Sequence, residues 1–540
     1  MIGADAIVKC LEREGVTTLF GYPGVAICPF FNSILNTKIE SILVRSEQNA
    51  AHAASGYARV TGKVGVCVAT SGPGATNLIT GIATAYADSI PLVCITGQVD
   101  SKLLGSDVFQ EADITGAAES FVKYSYLIKD ATDIPRIMKE AFHIASTGRK
   151  GPVLIDVPID IQNSQISGFK YPESVNMRTY KPTVKGHAVQ LKKVNIELEK
   201  SKKPLICAGG GVILSGAQKD LCDFSHKYGI PVVSTMMGIG SMAGDDPLYF
   251  GMIGNNGKSY ANRAMQESDL LIVIGARIAD RAVSSPDLVA KDTVLIHIDV
   301  DPAEIGKNVG PTIPIVGDIK NIFQDLKKQT AECDFSDWIN TLNKYKASEK
   351  PRKSPRRSYV DPAKFIATLS DLLDDKAVYV ADVGQNQMWS CGYYKAKSGW
   401  FLTSGGMGTM GYSIPAAIGA KKANMKTQVV AVCGDGSFQM AMNELATMKQ
   451  HNIPIKIIVF NNGYLGLVRE YQHKTYNAKY SMVSLQGSPD LSKIAEAYDM
   501  DYRCMENNKG MEEEIDSFLR QKGSAIMECK IDPLDVVKQV

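Results

Sequence analysis

Short segments that are apolar throughout recur along this chain, each followed by a stretch with helical spacing. They include 64–70, 92–96, 153–157, 205–209, 270–275, 294–298, 377–381, 429–434 and 455–460. A strand with one face in water alternates apolar and polar residues, so runs without alternation belong to strands covered on both faces. That condition is met when helices sheathe a parallel sheet, and the repetition of strand and helix predicts doubly wound α/β domains. A length of 540 residues allows several such units, each large enough to bury its own core.

Two polar stretches break the pattern. Residues 163–186 contain Pro172 and Pro182, and residues 344–361 contain seven Lys or Arg with Pro351 and Pro355. They divide the chain into expected domains 1–163, 185–335 and 360–540. The second stretch reads as a solvated linker, because a charge run with aromatics only near its ends is usually hydrated. The formal charge of +2 provides no global field for nucleic acid or an anionic membrane. The 11 cysteines are scattered without a C-x-x-C, several inside apolar runs, which suits a reducing compartment better than disulfides or a zinc site. No apolar run approaches the roughly 18 residues of a membrane span, and no secretory signal is evident. The expectation is a cytoplasmic protein with neither nucleic-acid nor membrane partners.

Chemistry-bearing residues gather at the ends of the expected strands, where open α/β sheets bind ligands. Gly434-Asp435-Gly436-Ser437 follows one strand and Asn461-Asn462-Gly463 follows the next. Asp435 and Asn462 offer hard oxygen donors suited to Mg²⁺ or Ca²⁺, and the glycines let backbone approach a phosphate. As local sequence, Asp-Gly and Asn-Gly are equally ordinary turns. Glu47 opens a helix rich in small residues; it is a candidate acid, or simply a first-turn glutamate favoured by the helix dipole. Thr70-Ser71-Gly72 and Thr403-Ser404-Gly405 each end an extended segment before a Gly-rich stretch that runs on to Gly408, a likeness that fits two domains of one fold.

These motifs, with Gly21-Tyr22-Pro23-Gly24, Phe109-Gln110-Glu111 and Asn461 to Gly466, resemble the thiamine-diphosphate (ThDP) enzymes in order from about residue 2 to about 530. Within them the chain is most similar to the biosynthetic acetolactate synthases. The resemblance implies that Asp435, Asn462 and the Tyr464 carbonyl hold Mg²⁺, and that Gln385, Asn386, Gly408, Gly434, Gly436 and Ser437 surround the diphosphate. Met410 would bend the cofactor. Glu47 would hydrogen-bond N1′ of the aminopyrimidine. Gln110, Lys123, Phe109, Val25, Val468 and Tyr471 would face the 2-keto acids. The resemblance further implies a homodimer or homotetramer, since Glu47 comes from the other subunit, and a small regulatory subunit. The middle domain resembles a flavin-binding domain, with Gly209, Gly210, Gly211, Thr235, Met236, Arg277, Asp299 and Asp318 on the contacts to a structural FAD. The implied activity is acetolactate synthesis in branched-chain amino-acid formation (EC 2.2.1.6).

The chain departs from that family at Val25, usually Gly, and at Ser46-Glu47-Gln48-Asn49, Gly254-Asn255-Asn256-Gly257 and Arg277-Ile278-Ala279-Asp280-Arg281. Tyr471 stands where Trp is common, and the family's longer closing tail is missing. These changes leave room for a specialised ThDP-dependent decarboxylase or carboligase; retention of Glu47, Asp435 and Asn462 argues against a non-catalytic paralogue.

Overall fold

The structure is a computed structural model that describes residues 1–280, 282, 289, 292–310, 313–328, 333–350, 352 and 355–537; Arg281 lies outside them. Among these residues it contains three parallel six-stranded sheets. The first sheet comprises β1 (Thr18–Tyr22), β2 (Glu40–Leu43), β3 (Gly65–Ala69), β4 (Leu92–Gln98), β5 (Tyr124–Leu127) and β6 (Pro152–Pro158), in the order β2-β1-β3-β4-β6-β5. The third comprises β13 (Val378–Ala381), β14 (Trp400–Thr403), β15 (Val429–Gly434), β16 (Lys456–Asn461), β17 (Asp501–Met505) and β18 (Ala525–Lys530), in the order β14-β13-β15-β16-β18-β17. The two orders are the same. The middle sheet, β7 (Pro204–Ala208), β8 (Val232–Ser234), β9 (Tyr249–Met252), β10 (Leu270–Ile274), β11 (Val294–Asp299) and β12 (Ile313–Val316), runs β12-β11-β10-β7-β8-β9, the dinucleotide-binding order. β3, β4, β6, β7 and β10 are buried along their whole length, as their unbroken apolar sequence requires.

The first and third domains share a core. The helix Glu47–Thr61 crosses the helix Ser413–Ala423 in backbone contact, because Gly56 faces the Ala416 carbonyl and Gly419 faces that of Ala53, with no space at either place for a Cβ. Arg59 and Asp88 pin this contact. Their buried ion pair is 2.7 Å long, Arg59 also donates to the Thr403 carbonyl, and Asp88 accepts from the Gly405 and Gly406 N–H groups. Removing one member of a buried pair strands the other charge, so Asp88→Ala is expected to cost about 3–5 kcal/mol. Chemical denaturation will read this as an earlier midpoint; an unchanged midpoint contradicts it.

The structure refines the expected boundaries. The helix Ser336–Ala347 lies past residue 335 yet belongs to the middle domain: Leu342 is buried in its core and the Trp338 indole donates to the Pro204 carbonyl. Two arginines of the second linker are paired, although Arg356 to Ser358 stay exposed as its composition predicts. Arg352 is buried between Asp361 and Asp535, and Arg356 grips Asp532 through two bonds of 2.6 and 2.7 Å. Two of its basic residues therefore hold the C-terminal segment against the third domain, a pairing that no local pattern reveals.

Candidate active site

In the third domain the turns after neighbouring strands β13, β15 and β16 converge. The sequence Gly434-Asp435 ends β15 and starts the helix Asp435–Ala441, which places the carboxylate at the strand end. Its Oδ2 accepts the Gly463 N–H at 2.9 Å, and burial pushes its pKa up to about 6. A buried carboxylate raised in this way favours a cation beside it. Asn462 turns Oδ1 back to accept the Tyr464 N–H at 2.9 Å. The loop carrying both is fixed by Leu465 N–H to the Val483 carbonyl and Leu485 N–H to the Gly463 carbonyl. A small cavity at this point is lined by Gln385, Asn386, Met410, Gly434, Asp435, Gly436, Ser437, Asn462, Tyr464 and Val468. Gly436 faces the side-chain ends of this pocket: a Cβ would come within 2.9 Å of Leu465 Cδ2, which would have to move, and 3.5 Å of the Met410 methyl.

Gln385 lines this cavity and is also tied by its amide to neighbouring segments. Its Nε2 donates to Glu470 and to the Asp535 carbonyl, both at 3.0 Å, while its Oε1 accepts from Asn462 Nδ2 at 3.1 Å. Its amide thus orients Asn462 and ties the site to the C-terminal segment. Glu470 also accepts the Val537 N–H, and Arg469 donates to the Pro533 carbonyl. Asp382, absent from the sequence-based candidates, is a buried hub accepting N–H groups from Val383, Gly411 and Ser413, which fixes the loop bearing Met410. The signal was present as Ala381-Asp382-Val383-Gly384 after an apolar run.

The first domain repeats the arrangement at the ends of β2, β1, β3 and β4. Glu47 follows β2; it is half-buried and accepts from Asn77 Nδ2 at 3.0 Å. A Cβ on Gly74 would stand 3.4 Å from Glu47 Oε1, and one on Gly24 would meet Thr70. Val25 follows Gly24, and the turn at Gly72 backs onto Gln110, whose φ of +61° is unusual for a residue with a side chain. The Thr70 and Ser71 hydroxyls are buried without partners on this same side. Val25 is 77% exposed and Phe109 87%, and across the molecule Tyr471 is 59% exposed. Lys123 is not brought to this face. Its amine donates to the Ile144 and Thr147 carbonyls and to the Tyr180 hydroxyl, and burial lowers its pKa to about 7. In this chain it secures the first linker.

A larger cavity of about 930 Å³ lies where the three domains meet. Gly210, Gly211, Thr235, Met236, Arg277, Asp299 and Asp318 line it, as does Gly408, which opens here rather than into the smaller cavity. Gly209 sits one residue back, where a Cβ would run into the Gly275 carbonyl, and a Cβ on Gly275 would run into Gly211. These glycines follow β7 and β10, the central neighbours where strand order reverses, which is where a pyrophosphate approaches such a sheet. Asp299 is buried at the end of β11 with its pKa raised to about 6. The two cavities adjoin at Val383 and Leu467. Among the described residues lining either cavity, Glu47, Val25, Phe109, Gln110 and Tyr471 of the same chain do not occur.

Each sheet overlaps one of three family models: the thiamine pyrophosphate enzyme N-terminal TPP-binding domain over residues 1–117, which hold β1 to β4, the central domain over 191–326, which hold the whole middle sheet, and the C-terminal TPP-binding domain over 382–529, which begin just after β13. The three domains are therefore those of a thiamine pyrophosphate enzyme. The chain is 43% identical to a probable acetolactate synthase large subunit of Methanocaldococcus jannaschii, covering all of this chain and 93% of the relative. It is also 43% identical to the acetolactate synthase large subunits of Haemophilus influenzae (92% of this chain, 88% of the relative) and Lactococcus lactis (95% and 90%). It belongs to the acetolactate synthase large-subunit family, enzymes that depend on thiamine diphosphate.

Proposed function

We propose that this chain uses pyruvate as donor, releases CO₂ and joins the two-carbon unit to a second 2-keto acid, giving 2-acetolactate for branched-chain amino-acid synthesis in the cytoplasm. The observation that carries this reading is the pair of half-sites: a cation-ready carboxylate at Asp435 in one domain and a carboxylate at Glu47, beside unpartnered hydroxyls, in another. They share no cavity within one chain, so we infer that a second copy brings them together in a homodimer or a pair of dimers. Exposed Val25, Phe109 and Tyr471 suit faces that such assembly would cover.

The residues fit the groups this activity needs. Asp435, Asn462 Oδ1 and the Tyr464 carbonyl would hold Mg²⁺, and the cradle at Gly434 and Gly436 leaves room for diphosphate oxygens. Thiamine diphosphate, when bound, supplies an electron sink for loss of CO₂. Gln385 keeps Asn462 in register, while Asp382 fixes the loop that keeps Met410 beside the cavity. Glu47 of one copy would hold a proton at the far end of the site, and Val25 and Phe109 would exclude water from the acceptor's place. The large cavity has the size and the glycine turns for FAD in a structural role, which blue absorbance of the purified protein would report. That the relatives are large subunits supports a small regulatory partner. Among the described residues no helix is long and apolar enough to cross a membrane.

Product analysis by NMR, with pyruvate alone and with added 2-ketobutyrate, tests the reading. Acetolactate from pyruvate is expected; acetaldehyde alone contradicts it and favours a decarboxylase. Val25 places an isopropyl group where the family keeps glycine, so Val25→Gly is expected to raise the share of 2-ketobutyrate-derived product about tenfold, the scale of a methylene-sized change in a pocket. An unchanged ratio removes Val25 from acceptor selection.

A further inference from the structure

Among the described residues one group of three metal-donating side chains stands together, Cys222, His226 and Asp246, with their donor atoms all within 4.8 Å of one another. It lies in the middle domain, apart from the residues lining both cavities. Cys222 and His226 are four positions apart on the helix Gln218–Tyr228, which sets both side chains on one face, one turn apart. Asp246 comes from the turn before β9. His226 Nε2 is 2.8 Å from Asp246 Oδ2, and Cys222 Sγ is 3.9 Å from the same oxygen. The carboxylate is held from behind, since its Oδ1 accepts the Leu248 N–H at 2.9 Å, the type of outer contact that orients a metal ligand. Tetrahedral zinc bonds of about 2.0–2.3 Å put neighbouring donors roughly 3.3–3.7 Å apart, so small rotations of these side chains suffice.

We propose that Cys222, His226 and Asp246 form a binding site for a divalent transition-metal ion, zinc by its mixed sulfur, nitrogen and oxygen donors, with a water completing the tetrahedron. Binding moves the hydrogen of His226 from Nε2 to Nδ1 and releases the Cys222 thiol proton to solvent; no electrons are transferred. Burial and the neighbouring Asp246 and Asp223 hold that thiol protonated in the ion's absence. The position gives the ion a consequence. The turn that carries Asp246 also bonds the third domain, Gly244 N–H donating to the Ala396 carbonyl at 2.8 Å. An ion here staples a helix of the middle domain to a turn already fastened to the third domain.

Cobalt(II) reports the site through its thiolate. Titrated into the full chain with excess Mg²⁺ and thiamine diphosphate, which occupy an oxygen-only site, Co²⁺ is expected to give a near-ultraviolet sulfur-to-metal band saturating at one equivalent. Zn²⁺ should displace it. The band should vanish in Cys222→Ser, and Asp246→Asn should weaken binding at least about 100-fold, because even outer partners of a ligand are worth 10–100-fold. Zn²⁺ should also raise the thermal midpoint of the wild type and leave that of Cys222→Ser unmoved. A band that persists in Cys222→Ser, or no band at all, overturns the proposal. Equal Zn²⁺ stabilisation of both proteins overturns the staple.

Discussion

Asp435→Asn is expected to fold normally and to lose essentially all turnover of pyruvate. The substitution keeps the side-chain volume and retains an oxygen able to accept the Gly463 N–H, so the loop from Asn462 to Leu465 stays in place. What is removed is the negative charge at the strand end. Burial already raises the Asp435 pKa to about 6, showing how little water serves that carboxylate, and a divalent ion beside it is its natural partner. Loss of several kcal/mol of metal-borne stabilisation corresponds to a fall on the order of 10³-fold in kcat/KM. Calorimetry should show the loss directly, as Mg²⁺-dependent binding of thiamine diphosphate that disappears in the variant. Near-normal cofactor binding would sink the metal assignment.

Glu47→Gln should separate binding from chemistry. The residue lies outside the third-domain cavity, so thiamine diphosphate should still bind with affinity close to that of the wild type. A carboxylate that holds a proton in the reaction typically contributes 10²–10⁴-fold, and glutamine keeps the hydrogen-bonding shape without the charge. Turnover is expected to fall by about that factor while the cofactor's dissociation constant changes little. A variant with unaltered kcat would leave Glu47 as a first-turn acid favoured only by the helix dipole.

The fold was legible because its strands are buried on both faces and hence unbroken in sequence, as in 65–69 and 429–433. The half-sites were legible for a related reason: each motif lies within a few residues of a strand end, so local sequence marks it. Where a role depends on distant partners, local sequence failed. Gln385 is marked by its motif, but its bonds to Glu470 and Asp535, 85 and 150 positions away, are not. Lys123 reads as a substrate residue until the helix end at Ile144–Thr147 and Tyr180 consume its three donor positions. Arg352 looks hydrated until Asp361 and Asp535 enclose it, and the pairing of still-exposed Arg356 with Asp532 is equally unmarked. Asp88, which joins two domains through Arg59 and two backbone amides, carries no local mark at all.

The central claim is that Glu47 of one copy and Asp435 of another complete a single catalytic site. Co-expression of Glu47→Gln with Asp435→Asn tests it most directly. In a two-fold dimer each mixed pair contains one site with both carboxylates intact, so random pairing of equal amounts should restore about a quarter of wild-type activity from two inactive variants. If both residues served a site within the same chain, every site in the mixture would carry one lesion, and activity would stay at the level of the separate variants.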